Sequence, residues 1–111
     1  MSIVATDPYG NRVVIPEELI PNNLKSTDLL ETIDSPDRVI TRPAIMLTTC
    51  TGPVECCTGP CDNHYFRLIS QDETLLISAH KEGEDWVAFS CISNPSTKEL
   101  AGIFQNARTL L

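Results

Sequence analysis

Thr74-Leu75-Leu76-Ile77-Ser78-Ala79-His80-Lys81-Glu82-Gly83-Glu84-Asp85-Trp86-Val87-Ala88-Phe89-Ser90-Cys91-Ile92 reads as two β-strands folded back on each other. Apolar, β-branched and aromatic residues fill both arms, and the charged run Lys81-Glu82-Gly83-Glu84-Asp85 supplies the turn. A strand sends alternate side chains to opposite faces, so Val87, Phe89 and Cys91 share one face and Ala88, Ser90 and Ile92 the other. On the Val87/Phe89 face, Cys91 reads as a small buried core residue. Trp86, the only tryptophan, opens the second arm. Its expected role is core packing, with ligand stacking as the alternative.

Working outward, Tyr65 to Ile69 is a further strand, joined to the hairpin through Gln71-Asp72-Glu73. Val39 to Thr49 is a candidate strand that Pro43 weakens, because proline cannot donate to a β-ladder. Ile3 to Ile15 forms an N-terminal hairpin. Asp7-Pro8-Tyr9-Gly10 places Asp, Pro and Gly where a type I turn favours them, and the flanks Ile3-Val4 and Val13-Val14-Ile15 are β-branched. Pro16-Glu17-Glu18-Leu19-Ile20 suits one helical turn, with proline first and acids at the positive end of the helix dipole. Ser26 to Ile33 reads as a short helix capped by Ser26 or Thr27, with Leu29, Leu30 and Ile33 on one side. Downstream, Ser96 with Glu99 makes a capping box. Leu100, Ile103, Phe104, Ala107 and Leu111 follow at helical spacing, and Arg108 sits where the dipole favours a cation. The fold expected is α+β: an antiparallel β-sheet with an N-terminal hairpin, short helices, and a C-terminal helix packed on the sheet.

At 111 residues the chain fits a single α+β domain spanning residues 1–111. Its hydrophobic content of 41% and mean hydropathy of −0.05 leave enough apolar material for a core. Fifteen acidic and eight basic residues give a formal charge of −7 and a pI near 4.6. That balance disfavours RNA or DNA as a partner, since nucleic-acid binding draws on Lys and Arg neutralising phosphates. A protein partner fits it better. The opening residues lack the basic start and apolar run of a signal peptide, and no apolar stretch approaches the ~20 residues of a membrane span. The cytoplasm is the expected location.

The oddest segment is the Cys-rich loop at 50–64, which carries Cys-Thr-Gly-Pro twice, starting at Cys50 and Cys57. Cys50, Cys56, Cys57 and Cys61, with His64 close by, are soft or borderline donors of the kind zinc takes four of in a tetrahedron. The Cys-x-x-Cys knuckle usual in zinc sites is missing. Three readings stay open: a zinc site, reduced thiols, or one or two disulfides. Adjacent Cys56 and Cys57 would strain if bonded to each other, so a disulfide would use separate partners.

Asp7, Gly10 and Val13, then Ile33-Asp34-Ser35-Pro36-Asp37-Arg38-Val39-Ile40, followed by Tyr65-Phe66-Arg67, Leu75-Leu76-Ile77 and Val87-Ala88-Phe89-Ser90, form a series of short words in a particular order. The series resembles the phage-type branch of the barnase/EndoU/colicin/RelE-like nuclease superfamily, with the Cys50 to Cys61 loop as an insertion. The resemblance implies metal-independent RNA cleavage, which needs a base, an acid and a cation at the phosphorane. His64 and His80 are the only imidazoles to serve as acid and base. Arg67, with Arg42 and Lys81, would clamp phosphate, and Ser90 stands at the family's Thr/Ser position. The family usually carries histidines in the helical region after the first hairpin, and Pro16 to Leu30 has none.

Two further expectations follow from these residues. The first is a nuclease-like but non-catalytic binding or regulatory module, with an active toxin-type ribonuclease using His64, Arg67, His80 and Ser90 as the alternative. The second is a small protein whose Cys loop binds zinc or responds to oxidants. Walker, Gly-x-Ser-x-Gly and His-Glu-x-x-His motifs are missing, which removes the best-marked nucleotide, hydrolase and zinc-protease classes.

Overall fold

The two arms of the Thr74–Ile92 stretch become a long hairpin, in a computed structural model that describes residues 2–42, 62–104 and 108–109. The arms run Glu73–Glu82 and Asp85–Ser93. Glu82 pairs with Asp85, so the turn shrinks to Gly83-Glu84, two residues fewer at the first arm and one fewer at the second than the charged run allows. Gly83 has φ +65°, which a glycine adopts without steric cost.

Numbered in chain order, the strands are β1 (Ile3–Thr6), β2 (Arg12–Ile15), β3 (Arg38–Arg42), β4 (Asp62–Ser70), β5 (Glu73–Glu82), β6 (Asp85–Ser93) and β7 (Arg108–Thr109). The helices are α1 (Ser26–Asp34) and α2 (Thr97–Phe104), with a single 3-10 turn at Glu17–Leu19. The strands form one sheet in the order β1-β2-β6-β5-β4-β3-β7.

The α+β expectation holds. The strictly antiparallel one does not, because β2 lies parallel to β6, pairing Val13 with Trp86 and Val14 with Val87. The long connection through the 3-10 turn, α1 and three strands returns the chain in the direction that β2 already runs, and this pair joins the N-terminal hairpin to the rest of the sheet. The C-terminal helix is also shorter than the apolar spacing predicts. Arg108 and Thr109 pair with Thr41 and Ile40 of β3, so Arg108 is a strand residue and not a helix-end cation. The pairing satisfies backbone groups on an otherwise open β3 edge.

One face of the sheet holds the main core. Val13, Ile15, Val39, Tyr65, Leu75 and Ile77 are fully buried there under Leu29 and Ile33 of α1. Burial of each such side chain contributes about 1.5–3 kcal/mol. On α1 the buried set is Leu29, Thr32 and Ile33, while Leu30 is exposed, contrary to the predicted stripe. At about 100° per residue Leu30 and Thr32 flank the Leu29/Ile33 direction at equal angles, so the way α1 rolls on the sheet, not the spacing, decides which of them is buried. Thr32 satisfies its hydroxyl on Asp28 O at 2.6 Å. Helix α1 starts after Lys25, which offers no side-chain cap, so the capping expected of Ser26 or Thr27 is not made. The capping box of α2 is formed in both directions, Ser96 N to Glu99 Oε1 and Glu99 N to Ser96 Oγ, each at 3.2 Å.

The opposite face carries a smaller apolar cluster of Ile40, Phe66 and Leu76, against which Leu100 of α2 packs. Among the described residues no helix is long and apolar enough to cross a membrane.

A bulge in β6 changes which residues face the core. Ser78 pairs with Ser90 but Ala79 with Ala88, leaving Phe89 as the extra residue. Trp86, Ala88 and Cys91 therefore pack on the main core, and Phe89 is 45% exposed. Cys91 is a core-packing residue as expected, but on the Ala88 side. Burial pushes its thiol up to about 11, which keeps it protonated and unreactive at neutral pH.

Candidate functional site

Directly paired residues in a sheet share a face. His64 pairs with Ser78 across β4 and β5, and Ser78 pairs with Ser90 across β5 and β6. His80, two residues beyond Ser78, lies on that same face, a diagonal neighbour of His64 at roughly 7–8 Å. Three of the four residues proposed from sequence, His64, His80 and Ser90, are therefore brought to the face that also holds Ile40, Phe66 and Leu76.

Arg67 is not brought there. Its register partner Leu75 belongs to the core under α1. Its guanidinium donates to Ser35 O at 2.7 Å and pairs with Glu31 at 3.2 Å, both at the end of α1. Lys81 pairs with Trp86 and so also stands on the side opposite His80. The Arg42 side chain lies outside the described residues, as do Cys50, Cys56, Cys57 and Cys61 with the whole of the proposed zinc or disulfide loop up to residue 61. Among the described residues, no three His, Cys, Asp or Glu side chains gather as metal ligands.

The partner His64 does take is Ser78, Nδ1 to Oγ at 2.7 Å. An imidazole within hydrogen-bond reach of a hydroxyl is the geometry of an activated nucleophile. Here, however, His64 is 5% and Ser78 3% exposed, so the hydroxyl is not offered to a substrate. Ser90 is two strands from His64, roughly 10 Å away, with Ser78 between them. His80 stacks on Phe89 with ring centroids 5.4 Å apart, and its Nε2 lies 3.2 Å from Glu82. Asp62 is its directly opposite neighbour on β4. The surroundings of His80 are thus acidic, which repels a phosphate.

A second polar centre lies on the main-core side, at the first hairpin. Gly10 N donates to Asp7 O at 3.1 Å, closing the predicted turn, and Gly10 takes φ +86°. The Asp7 side chain, 4% exposed, accepts from Tyr9 N at 2.9 Å, Asn11 N at 2.8 Å and Asn11 Nδ2 at 2.9 Å. It also accepts from the Tyr65 hydroxyl at 2.7 Å, and Tyr65 Oη in turn accepts from Asn63 Nδ2 at 3.2 Å. Burial, and then the bond to Asp7, raise the Tyr65 hydroxyl above its ordinary range, so it stays a donor. Asp7, Tyr65 and Asn63 tie the turn to the middle of the sheet.

A cleft of about 540 Å³ opens at the β3–β4–β5 end of the sheet, beside Pro95 and Leu100. Phe66, Leu68, Pro95 and Leu100 give it apolar walls. Arg38 and Asp37 bring charge to it, and Arg67, Thr74 and Asn94 complete the lining. Sequence reasoning passed over Ser78, Arg38 and the Asp7–Tyr65 contact. Ser78 was findable, because it shares strand parity with His80. The other two depend on pairings remote in sequence.

The chain matches no known family model, no curated protein and no solved structure.

Proposed function

We propose that this chain is a nuclease-like domain that binds a partner and does not cleave RNA. One observation carries the reading: Arg67, a cation expected at the phosphate, is bonded to Glu31 of α1 and to Ser35 just after it, on the face away from His64, His80 and Ser90. Metal-free RNA cleavage needs acid, base and cation around one phosphorus atom. The burial of His64 with Ser78, and the acidic neighbours of His80, weigh in the same direction. With a net charge of −7, a protein is a better partner than RNA.

The test is incubation of total RNA with excess protein at neutral pH. Intact RNA is the expected result. Cleavage that disappears in His64→Ala or His80→Ala would overturn the reading and restore the ribonuclease.

A further inference from the structure

Arg38 is an exposed cation at the cleft beside Pro95 and Leu100, at the β3–β4–β5 end of the sheet. Among the described residues it takes part in no ion pair, whereas the other charged groups of the lining are engaged. Arg67 is held by Glu31 and Ser35, and Asp37 accepts from Leu68 N at 2.7 Å. Arg67 is taken up by Glu31 of α1, so of the two arginines in the lining Arg38 is the one not held by a carboxylate among the described residues.

Its floor is apolar. Phe66 stands directly opposite Arg38 in the β3–β4 register, and Leu68 lies two residues on, on the same face. Leu68 is 56% exposed, so its side chain is open to a ligand on that face. Leu100 and Pro95 close the far side. Asn94 is held in place by the β5 backbone: its Oδ1 accepts from Thr74 N at 2.8 Å, and its own N donates to Thr74 O at 2.7 Å. That arrangement leaves its Nδ2 as a further donor at the cleft.

We propose that this cleft binds a small carboxylic acid with an aliphatic body, its chain lying on Phe66, Leu68, Pro95 and Leu100 and its carboxylate taken by Arg38. A volume of about 540 Å³ lies within the range of small-molecule sites, which are mostly apolar with a few polar groups to orient the ligand. Guanidinium is the side chain best matched to a carboxylate, since its donors form a planar fork. The inference goes beyond the partner-binding reading and does not depend on it.

The experiment is titration of isotopically labelled full chain with octanoate, followed by backbone amide shifts, with 1-octanol as the uncharged control. Octanoate is expected to move the amides of Phe66, Leu68, Thr74, Asn94 and Leu100, with octanol at least tenfold weaker. Arg38→Gln, at an exposed position without an ion pair among the described residues, is expected to keep the fold and weaken octanoate about tenfold. Equal binding of octanoate and octanol, shifts centred elsewhere, or an unchanged affinity in Arg38→Gln would overturn the proposal. A short peptide ending in leucine tests the other source of the same chemistry. Binding of its free acid but not its amide, without octanoate binding, would overturn the small-acid assignment and place a chain terminus in the cleft. None of these outcomes alters the RNA result, so the two proposals fail separately.

Discussion

Replacing Asp7 by alanine is expected to lower the unfolding free energy by about 3–4 kcal/mol. The carboxylate accepts four hydrogen bonds, from Tyr9 N, Asn11 N, Asn11 Nδ2 and the Tyr65 hydroxyl. Its loss removes the anchor of the turn and also leaves the Tyr65 hydroxyl in the core without its acceptor. A bond to a charged group contributes about 1.5–3 kcal/mol, and an unsatisfied buried donor costs about 1–3 kcal/mol more. Tyr65→Phe removes only one of the four donors, so its expected loss is smaller, about 1–2 kcal/mol. Urea unfolding of both variants checks the order. A loss below about 1 kcal/mol for Asp7→Ala would mean that the network contributes little.

Trp86→Ala should have a comparable or larger effect, about 3–5 kcal/mol. The indole is 8% exposed and packs in the cluster that includes Ala5, Val13, Ile15 and Ala88. It is also the residue whose pairing with Val13 begins the parallel contact between β2 and β6. Truncation therefore leaves a cavity at the parallel seam between the N-terminal hairpin and β6. Domains of this size have about 5–15 kcal/mol in total, so the variant would stand close to unfolding. With a slope of about 2 kcal/mol per molar, the urea midpoint should fall by about 2 M. An unchanged midpoint would show that the tryptophan is dispensable to the core, and would favour the ligand-stacking role.

The features legible in the sequence are those fixed by near neighbours. The turn at Asp7-Pro8-Tyr9-Gly10, the Ser96/Glu99 box and the hairpin around Gly83 each depend on residues a few positions apart. The parallel seam, the β7 pairing and the bulge at Phe89 do not. A parallel contact joins residues about 70 positions apart, such as Val13 and Trp86, and no local pattern encodes it. A bulge shifts parity by one residue, which is enough to move Cys91 from the Val87/Phe89 side to the Ala88 side.

The candidate site divides in the same way. That Tyr65 and Arg67 share a face is readable from their spacing, and so is the shared side of Ser78 and His80. Which side α1 covers is not readable, because it follows from long-range packing. That choice sends Arg67 to Glu31 and leaves the imidazoles on the other surface. The cysteines at 50, 56, 57 and 61 fall outside the described residues, so zinc, free thiols and disulfides stand as the sequence leaves them.

The functional reading turns on Arg67 serving α1 and not a phosphate. A double-mutant cycle of Arg67→Gln and Glu31→Gln, read by urea unfolding, tests that contact directly. With side chains 28% and 54% exposed at 3.2 Å, the account expects a favourable coupling of about 0.5–1 kcal/mol, discounted for solvent screening. Strict additivity of the two substitutions, with Arg67→Gln costing no stability alone, would contradict it and return Arg67 to the list of phosphate ligands.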